Sequence, residues 1–219
     1  MKLIFTFDDA LKSQLDFHKE TGLPATYFTI PQYVEENTTG SRRRERMCVW
    51  SEVAELAKHG EIGFHGHSAD SYNNWTDEKT NQTMQEGADL FEKNIGYKPA
   101  SFAYTNMNPG RIDLISKFCP YIRDYYLREL KPGWALHFSE QAFRVEKSFI
   151  PADFLMYRPE IFVIHAFEKY DVMKERTEII AKEFKYLVLI AHAMSKKGME
   201  TWGALAKDYE VITFKEIFE

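Results

Sequence analysis

Short apolar runs alternate along this chain with segments whose apolar residues recur at helical spacing. The apolar runs have strand length and are rich in aromatic and β-branched residues; they cover 2–7, 25–30, 61–65, 99–104, 161–165, 186–192 and 210–214. Between the first two runs, Leu11, Leu15 and His18 share one helical face, and Gly22 is a typical stop. Because strands and helices alternate, the pattern predicts a parallel α/β sheet.

Cap and stop residues delimit the predicted helices. These cover 10–21, 51–58 with Ser51 as cap, 76–94 opened by Thr76, 112–118, 174–185 and 199–209. The region between Pro109 and Pro159 is the least regular, and there the pattern predicts one helix, 112–118, and one strand, 121–127.

Composition narrows the classes of function. With 219 residues, 44% of them hydrophobic, the chain can bury a full core, and we expect one domain spanning 1–219. A net charge of −5 argues against a nucleic-acid partner. No apolar run approaches the about 18 residues of a membrane span. Two cysteines form no disulfide framework and no signal peptide is evident, so a cytoplasmic location is expected. No feature specifies an oligomeric state.

Acids and imidazoles follow three of the apolar runs. Asp8 and Asp9 end the first run, His65 ends the third, and His192 ends the penultimate one. In a parallel barrel the carboxyl ends of the strands meet at one rim. Two imidazoles and one carboxylate suit Zn²⁺ or a similar cation, and the remaining aspartate could act as a general base. The role of His165, which ends a similar run, stays open. Three histidines are interpreted as structural: His18, His59 and His137.

Four segments occur in a characteristic order. They are Thr-Phe-Asp-Asp at 6–9, the stretch 50–65 ending in Gly-Phe-His, Gly-Tyr-Lys-Pro-Ala-Ser-Phe-Ala-Tyr at 96–104, and Leu-Val-Leu-Ile-Ala-His at 187–192 with a later strand at 211–214. In this order they resemble the polysaccharide deacetylase family, carbohydrate esterase family 4. The resemblance implies a distorted parallel (β/α) barrel. It also implies a metal-dependent amide hydrolase of carbohydrate metabolism that removes an N-acyl group, usually acetyl, from an amino sugar or glycan precursor.

The resemblance also assigns roles by position. Asp8 becomes the base that takes a proton from the attacking water, and His192 becomes the acid that protonates the leaving amine. Asp9 and His65 become ligands of a divalent metal, with zinc as the expected ion. A backbone N–H near Tyr104 would stabilise the oxyanion. A small carbohydrate or amide is the expected substrate.

Two positions depart from the family pattern. The second metal-binding histidine, four residues after the first, is replaced by Ala69, and the arginine that orients the base is replaced by Ala103. If the chain stays extended after His65, His67 projects from the same face, and we predict it as the third ligand. Asp70 is the alternative if the backbone turns helical there.

Two other functions stay open. Allantoinase-like relatives also have His-Gly followed by a non-histidine at the position of Ala69, so His65-Gly66 is compatible with a metal-independent hydrolase of a ureide or cyclic amide. A catalytically silent barrel that binds a glycan or a protein is the other alternative, because Ala69 and Ala103 replace two functional residues. The four strand-end residues are all retained, and this favours an enzyme.

Overall fold

Strands and helices alternate as predicted in the part of the chain that the structure, a computed structural model, describes: residues 1–36, 46–66, 75–105, 111–123, 149–151, 161–165, 170–182 and 184–219. The strands are β1 (Lys2–Asp8), β2 (Thr26–Thr29), β3 (Glu61–Phe64), β4 (Ser101–Ala103), β5 (Tyr121–Arg123), β6 (Phe149–Pro151), β7 (Ile161–His165), β8 (Tyr186–Ala191) and β9 (Glu210–Ile212). The helices are α1 (Lys12–Thr21), α2 (Pro31–Glu35), α3 (Trp50–Leu56), α4 (Asp77–Ile95), α5 (Ile112–Ile115), α6 (Tyr170–Ala181) and α7 (Lys196–Leu205), and a 3₁₀ helix covers Lys215–Ile217. None of the helices described is long and apolar enough to cross a membrane.

The sheet is built around β1. The strand order is β6-β5-β4-β3-β2-β1-β8-β7, and β9 pairs with the start of β1. All pairings are parallel except that of β5 with β6. The carboxyl ends of the parallel strands therefore lie along one edge, where α/β folds carry their sites.

The two faces of β1 have different surroundings, since alternate side chains of a strand point to opposite faces. Phe5 faces the helices, and its ring stacks on Trp202 of α7 with 4.6 Å between centroids. Ile4 belongs to a separate, smaller cluster on the other face. Its other members are Phe28, Ala103, Val188, Ile190, Ile212, Phe214 and Ile217. By alternation, Asp8 shares the face of Ile4 and ends β1 above this smaller cluster.

Several boundaries differ from the sequence prediction. Helix α6 covers Tyr170–Ala181 rather than 174–185. It ends early because the Lys185 carbonyl already accepts a bond from the Lys2 N–H at the entrance to the sheet. Helix α7 begins at Lys196, where Ser195 is the cap and accepts a bond from the Gly198 N–H. Strand β6 and helix α2 were not predicted. The end of the predicted strand 121–127 lies outside the described residues.

Helix α3 begins at Trp50 because its N-cap is Val49, two residues before the predicted cap Ser51, and the Glu52 side chain bonds the backbone there. The Val49 N–H donates to Glu52 Oε2 at 3.1 Å. The other oxygen, Oε1, lies 2.5 Å from Lys12 Nζ and 2.8 Å from Arg46 Nη2. Burial acts to raise the pKa of Glu52, but the hydrogen bonds from Arg46, Lys12 and Val49 outweigh it and lower the pKa to about 2.

We expect Glu52→Gln to destabilise the fold in a pH-dependent way. The pKa of this group is lower in the folded than in the unfolded chain, so its contribution is complete above the ordinary pKa of 4.5 and is lost as the pH falls toward about 2. At pH 7 the variant should lose about 1–2 kcal/mol of unfolding free energy, since the partly exposed site reduces the full effect. Urea unfolding between pH 7 and 2.5 measures this. Glu92→Gln, which changes an exposed carboxylate, is the control. If the unfolding free energies of Glu52→Gln and the wild type differed by the same amount at every pH, the expectation would be contradicted.

Candidate functional site

Asp8 and Asp9 occupy different environments at the end of β1. The Asp8 side chain is fully buried, whereas that of Asp9 is 18% exposed. Asp9 and Ala10 both have positive φ angles, +75° and +54°, which turn the chain sharply into α1. The Cys48 N–H donates to the Ala10 carbonyl at 2.7 Å and holds this turn. Two consecutive non-glycine residues in the left-handed region are strained, and such strain is concentrated at functional sites.

The two predicted histidines, His65 and His192, lie close to the aspartates. His65 Nε2 lies 3.6 Å from Asp9 Oδ1 and 3.8 Å from Asp8 Oδ2. His192 Nε2 lies 3.9 Å from Asp8 Oδ2. The structure therefore brings Asp8, Asp9, His65 and His192 together at the carboxyl edge of β1, β3 and β8. The Nε2 atoms of both imidazoles lie within 4 Å of the same oxygen, Oδ2, of the Asp8 carboxylate.

The tautomer of His65 follows from its backbone partner. Its Nδ1 lies 2.8 Å from the carbonyl oxygen of Ala103, in a buried position. A carbonyl can only accept a hydrogen bond, so Nδ1 carries the proton. In the neutral ring, Nε2 then presents its lone pair toward the two aspartates, which is the orientation that a metal ligand needs.

A fifth residue, Arg123, joins this group and was not anticipated from the sequence. Its Nη2 donates to Asp8 Oδ1 at 2.6 Å and to Oδ2 at 2.7 Å, and its Nη1 donates to Thr6 Oγ1 at 2.8 Å. The guanidinium is fully buried and lies 4.5 Å above the ring of Phe28. Arg123 is the register partner of Ala103. An arginine thus contacts Asp8 from β5, next to the position on β4 where the resemblance placed one.

The sequence did contain a weak signal for this arginine. Arg123 is the one charged residue in Tyr121-Ile-Arg123, the start of a predicted strand. A charged side chain is rarely buried without a partner. That rule indicates that a counter-charge exists, but it cannot identify Asp8.

The charges around Asp8 keep its carboxylate ionised. Burial alone would raise the pKa of Asp8, but the neighbouring Arg123, with smaller effects from His65 and His192, holds the pKa well below its usual range. Asp8 is therefore a buried anion with its counter-charge in direct contact.

The other histidines lie elsewhere or outside the described residues. The rings of His18 and His59 stack with 3.9 Å between centroids, near the C-terminal ends of α1 and α3. Those ends lie at the opposite edge of the sheet from the strand-end group. His165 ends β7. Residues 67–74, which include His67, Ala69 and Asp70, lie outside the described residues, as does His137.

The resemblance implies a divalent metal, and two of the residues at this edge, Asp9 and His65, are placed so that they could bind one. Tetrahedral coordination with bonds of about 2.0–2.2 Å separates two ligand atoms by about 3.3–3.6 Å. The 3.6 Å between Asp9 Oδ1 and His65 Nε2 fits such a pair. Asp8, by contrast, is bound through both oxygens to Arg123. Within the described ranges, no three His, Cys, Asp or Glu side chains form a set that could hold a metal ion. This pair would supply two of the three protein ligands that a catalytic zinc normally has.

Comparisons with known proteins agree with this architecture. Solved structures with the same fold include a deacetylase with its substrate, 14% identical with a TM-score of 0.58 over 99% of this chain and 90% of that one. A family 4 acetyl xylan esterase from Clostridium thermocellum, in complex with a cobalt ion, is 14% identical with a TM-score of 0.57 over 100% and 90%. A family 4 pseudoenzyme from Bacillus anthracis is 12% identical with a TM-score of 0.62 over 100% and 65%. No curated protein matches significantly in sequence.

These likenesses confirm the predicted distorted parallel (β/α) barrel, although at such identities they show the fold alone. The evidence for the family is a sequence match. The polysaccharide deacetylase model matches residues 2–111, which is half of the chain and includes Asp8, Asp9 and His65. The chain therefore belongs to the polysaccharide deacetylase family, as a divergent member of carbohydrate esterase family 4.

Proposed function

We propose that this protein is an amide hydrolase that removes an N-acyl group, usually acetyl, from an amino sugar or glycan precursor. The observation that carries the proposal is the position of the Asp8 carboxylate, which has His65 and His192 near one of its oxygens and Arg123 in contact with both. As an anion Asp8 can accept a proton, and an imidazole close by can donate or accept one. The match to the polysaccharide deacetylase model supports the same class of reaction.

In the proposed reaction Asp8 is the base and His192 is the acid. Asp8 accepts a proton from water as the water oxygen attacks the acyl carbon. Two bonds from Arg123 leave lone pairs free on a carboxylate, which has about four acceptor sites. The C–N bond then breaks, and the protonated imidazole of His192 gives its proton to the leaving amine. His192 is suited to this step because its side chain is 28% exposed, so a substrate can reach it.

The proposed metal ligands are Asp9 and His65, with His67 as the predicted third. A divalent cation held by them, with zinc as the expected ion, would supply the Lewis acidity that polarises the acyl carbonyl. The hydrogen bond from His65 Nδ1 to the Ala103 carbonyl fixes the ring orientation for this purpose. His67 remains a prediction, with Asp70 as the alternative.

Acetate release from penta-N-acetylchitopentaose, with detection of the free amine, tests the proposed activity. The protein should be purified without chelator and assayed with added Zn²⁺ and, separately, after dialysis against EDTA. Equal amounts of acetate and free amine in the Zn²⁺ assay would support the proposal. Absence of both products would contradict deacetylation of this substrate class.

A metal-independent amide hydrolase is the second candidate. It is favoured by the ligand set, because the described residues contribute two metal ligands and Asp8 is committed to Arg123. Hydrolysis of allantoin that survives EDTA treatment would support it. If neither allantoin nor the chitooligosaccharide is hydrolysed, a silent barrel that binds a glycan or a protein becomes the better interpretation.

We expect Asp9→Ala to abolish the retention of Zn²⁺ during gel filtration, because the ligand pair is then broken.

His67→Ala should weaken Zn²⁺ binding by about 10–100-fold or more if His67 is a ligand. Elemental analysis and calorimetric titration measure the two effects, with His59→Ala as the control because its ring lies at the opposite edge of the sheet. Unchanged affinity in His67→Ala would exclude that ligand and favour Asp70.

A further inference from the structure

Gln14 connects the strand end that carries Asp8 to the loop that carries His192. The side chain of Gln14 is fully buried in the first turn of α1. Its Nε2 donates to the Asp8 carbonyl oxygen at 2.6 Å and to the His192 carbonyl oxygen at 3.1 Å. We propose that Gln14 is a positioning residue that sets the separation of Asp8 and His192; its catalytic consequence rests on the proposed function.

The amide lies where backbone pairing between the two strands stops. The parallel register of β1 and β8 runs from Lys2 opposite Tyr186 to Phe7 opposite Ala191. Asp8 and His192 are the next residues along each strand. At this point the single NH₂ group of Gln14 serves both carbonyls and continues the link between the strands.

The orientation of the amide follows from its partners. If the group were turned over, Oε1 would face two carbonyl oxygens, and none of the three atoms could donate. With Nε2 toward the carbonyls, Oε1 is buried and has no hydrogen-bond partner among the residues that the structure describes. A buried amide oxygen without a donor costs free energy, and the two hydrogen bonds from Nε2 to the Asp8 and His192 carbonyls offset that cost.

The preceding residue, Ser13, holds the same loop at a second point. Its Oγ accepts a hydrogen bond from the Met194 N–H at 3.0 Å. Two consecutive side chains of α1 therefore bind the backbone on either side of residue 193. Because α1 follows Asp8 after a short, strained turn, the helix fixes the His192 loop relative to Asp8.

Gln14→Met tests the inference, since methionine keeps the length of the side chain but has no N–H donor. On penta-N-acetylchitopentaose we expect kcat to fall by about 10–100-fold, because small misplacements of reacting groups have effects of this size. KM should change less than twofold, since the buried Gln14 does not contact substrate. In a His192→Ala background the same change should lower the residual rate less than twofold. A full additional loss in that background would overturn the positioning role.

A second measurement does not depend on activity. Hydrogen exchange of the amides of residues 192–195 should become at least several-fold faster in Gln14→Met. It should stay unchanged in Thr177→Val, which removes a buried hydroxyl bonded to the Met173 carbonyl in α6. Ser13→Ala removes the acceptor of the Met194 N–H and should speed up exchange at Met194 directly, so it is the positive control. Gln14→Leu, which also lacks the N–H donor, serves if Gln14→Met does not fold.

The two measurements separate the inference from the proposed function. If the wild-type protein releases no acetate but exchange at residues 192–195 is faster in the Gln14 variant than in the wild type, the proposed function is overturned and the link between Asp8 and His192 is supported. Unchanged exchange in the Gln14 variants would overturn the inference, whatever the wild-type activity.

Discussion

Asp8→Asn is expected to lower kcat for acetate release by about 10²–10⁴-fold, the usual contribution of a general base. The amide has nearly the shape of the carboxylate but cannot take a proton from water. Zn²⁺ retention should persist, because Asp9 and His65 are unchanged. Steady-state kinetics and elemental analysis of the same preparation measure the two effects.

Lost stability could also reduce the rate of Asp8→Asn, because the change leaves the Arg123 guanidinium buried without its counter-charge. The matched control is therefore the double variant Asp8→Asn/Arg123→Met, which removes both charges. We expect its unfolding free energy to recover toward that of the wild type while its rate stays low. Recovery of the rate together with stability would contradict the assignment of Asp8 as the base, as would an unaltered rate in Asp8→Asn itself.

Arg123→Met is expected to destabilise the protein by about 3–5 kcal/mol, because it leaves a buried carboxylate without its cation. Asp8 is fully buried, and both of its oxygens bind this guanidinium. Urea unfolding at pH 7 measures the loss. Acetate release should also fall, since the orientation of Asp8 toward His65 and His192 is then no longer held by the guanidinium.

Arg123→Lys separates charge from geometry. Lysine keeps the positive charge but lacks the planar group that bonds Asp8 and Thr6 together. We expect intermediate stability and a rate well below that of the wild type. If Arg123→Met unfolds at the wild-type urea concentration, the ion pair does not contribute to the fold as the geometry implies.

Arg123 also bears on whether the chain is an enzyme or a silent barrel. The replacement of the family's arginine by Ala103 was one of two reasons to consider a silent barrel. An arginine contacts Asp8 nonetheless, because the neighbouring strand supplies Arg123 at the register partner of Ala103. If Asp8 is the base, as proposed, Arg123 takes the place of the family's arginine. The other departure, at Ala69, depends on residues 67–74, where the metal-binding experiments on His67 are decisive.

The sequence by itself determined the order of strands and helices apart from α2 and β6, and it identified four of the five side chains that meet at the sheet edge. These features depend on local patterns: apolar runs of strand length, helical spacing of apolar residues, and stops such as Gly22. Asp8, Asp9, His65 and His192 follow such runs directly, and the carboxyl ends of parallel strands share an edge. Their meeting at one edge could therefore be predicted without coordinates.

The tertiary structure alone decided how those residues are held. Arg123 binds a carboxylate 115 positions away, and Gln14 binds a carbonyl 178 positions away. The local sequence identifies the partner of neither side chain, because each partner is set by strand order, register and the direction of one helix. Local patterns encode which segments become strands. The contacts that position Asp8 and His192 arise only when distant segments pack side by side.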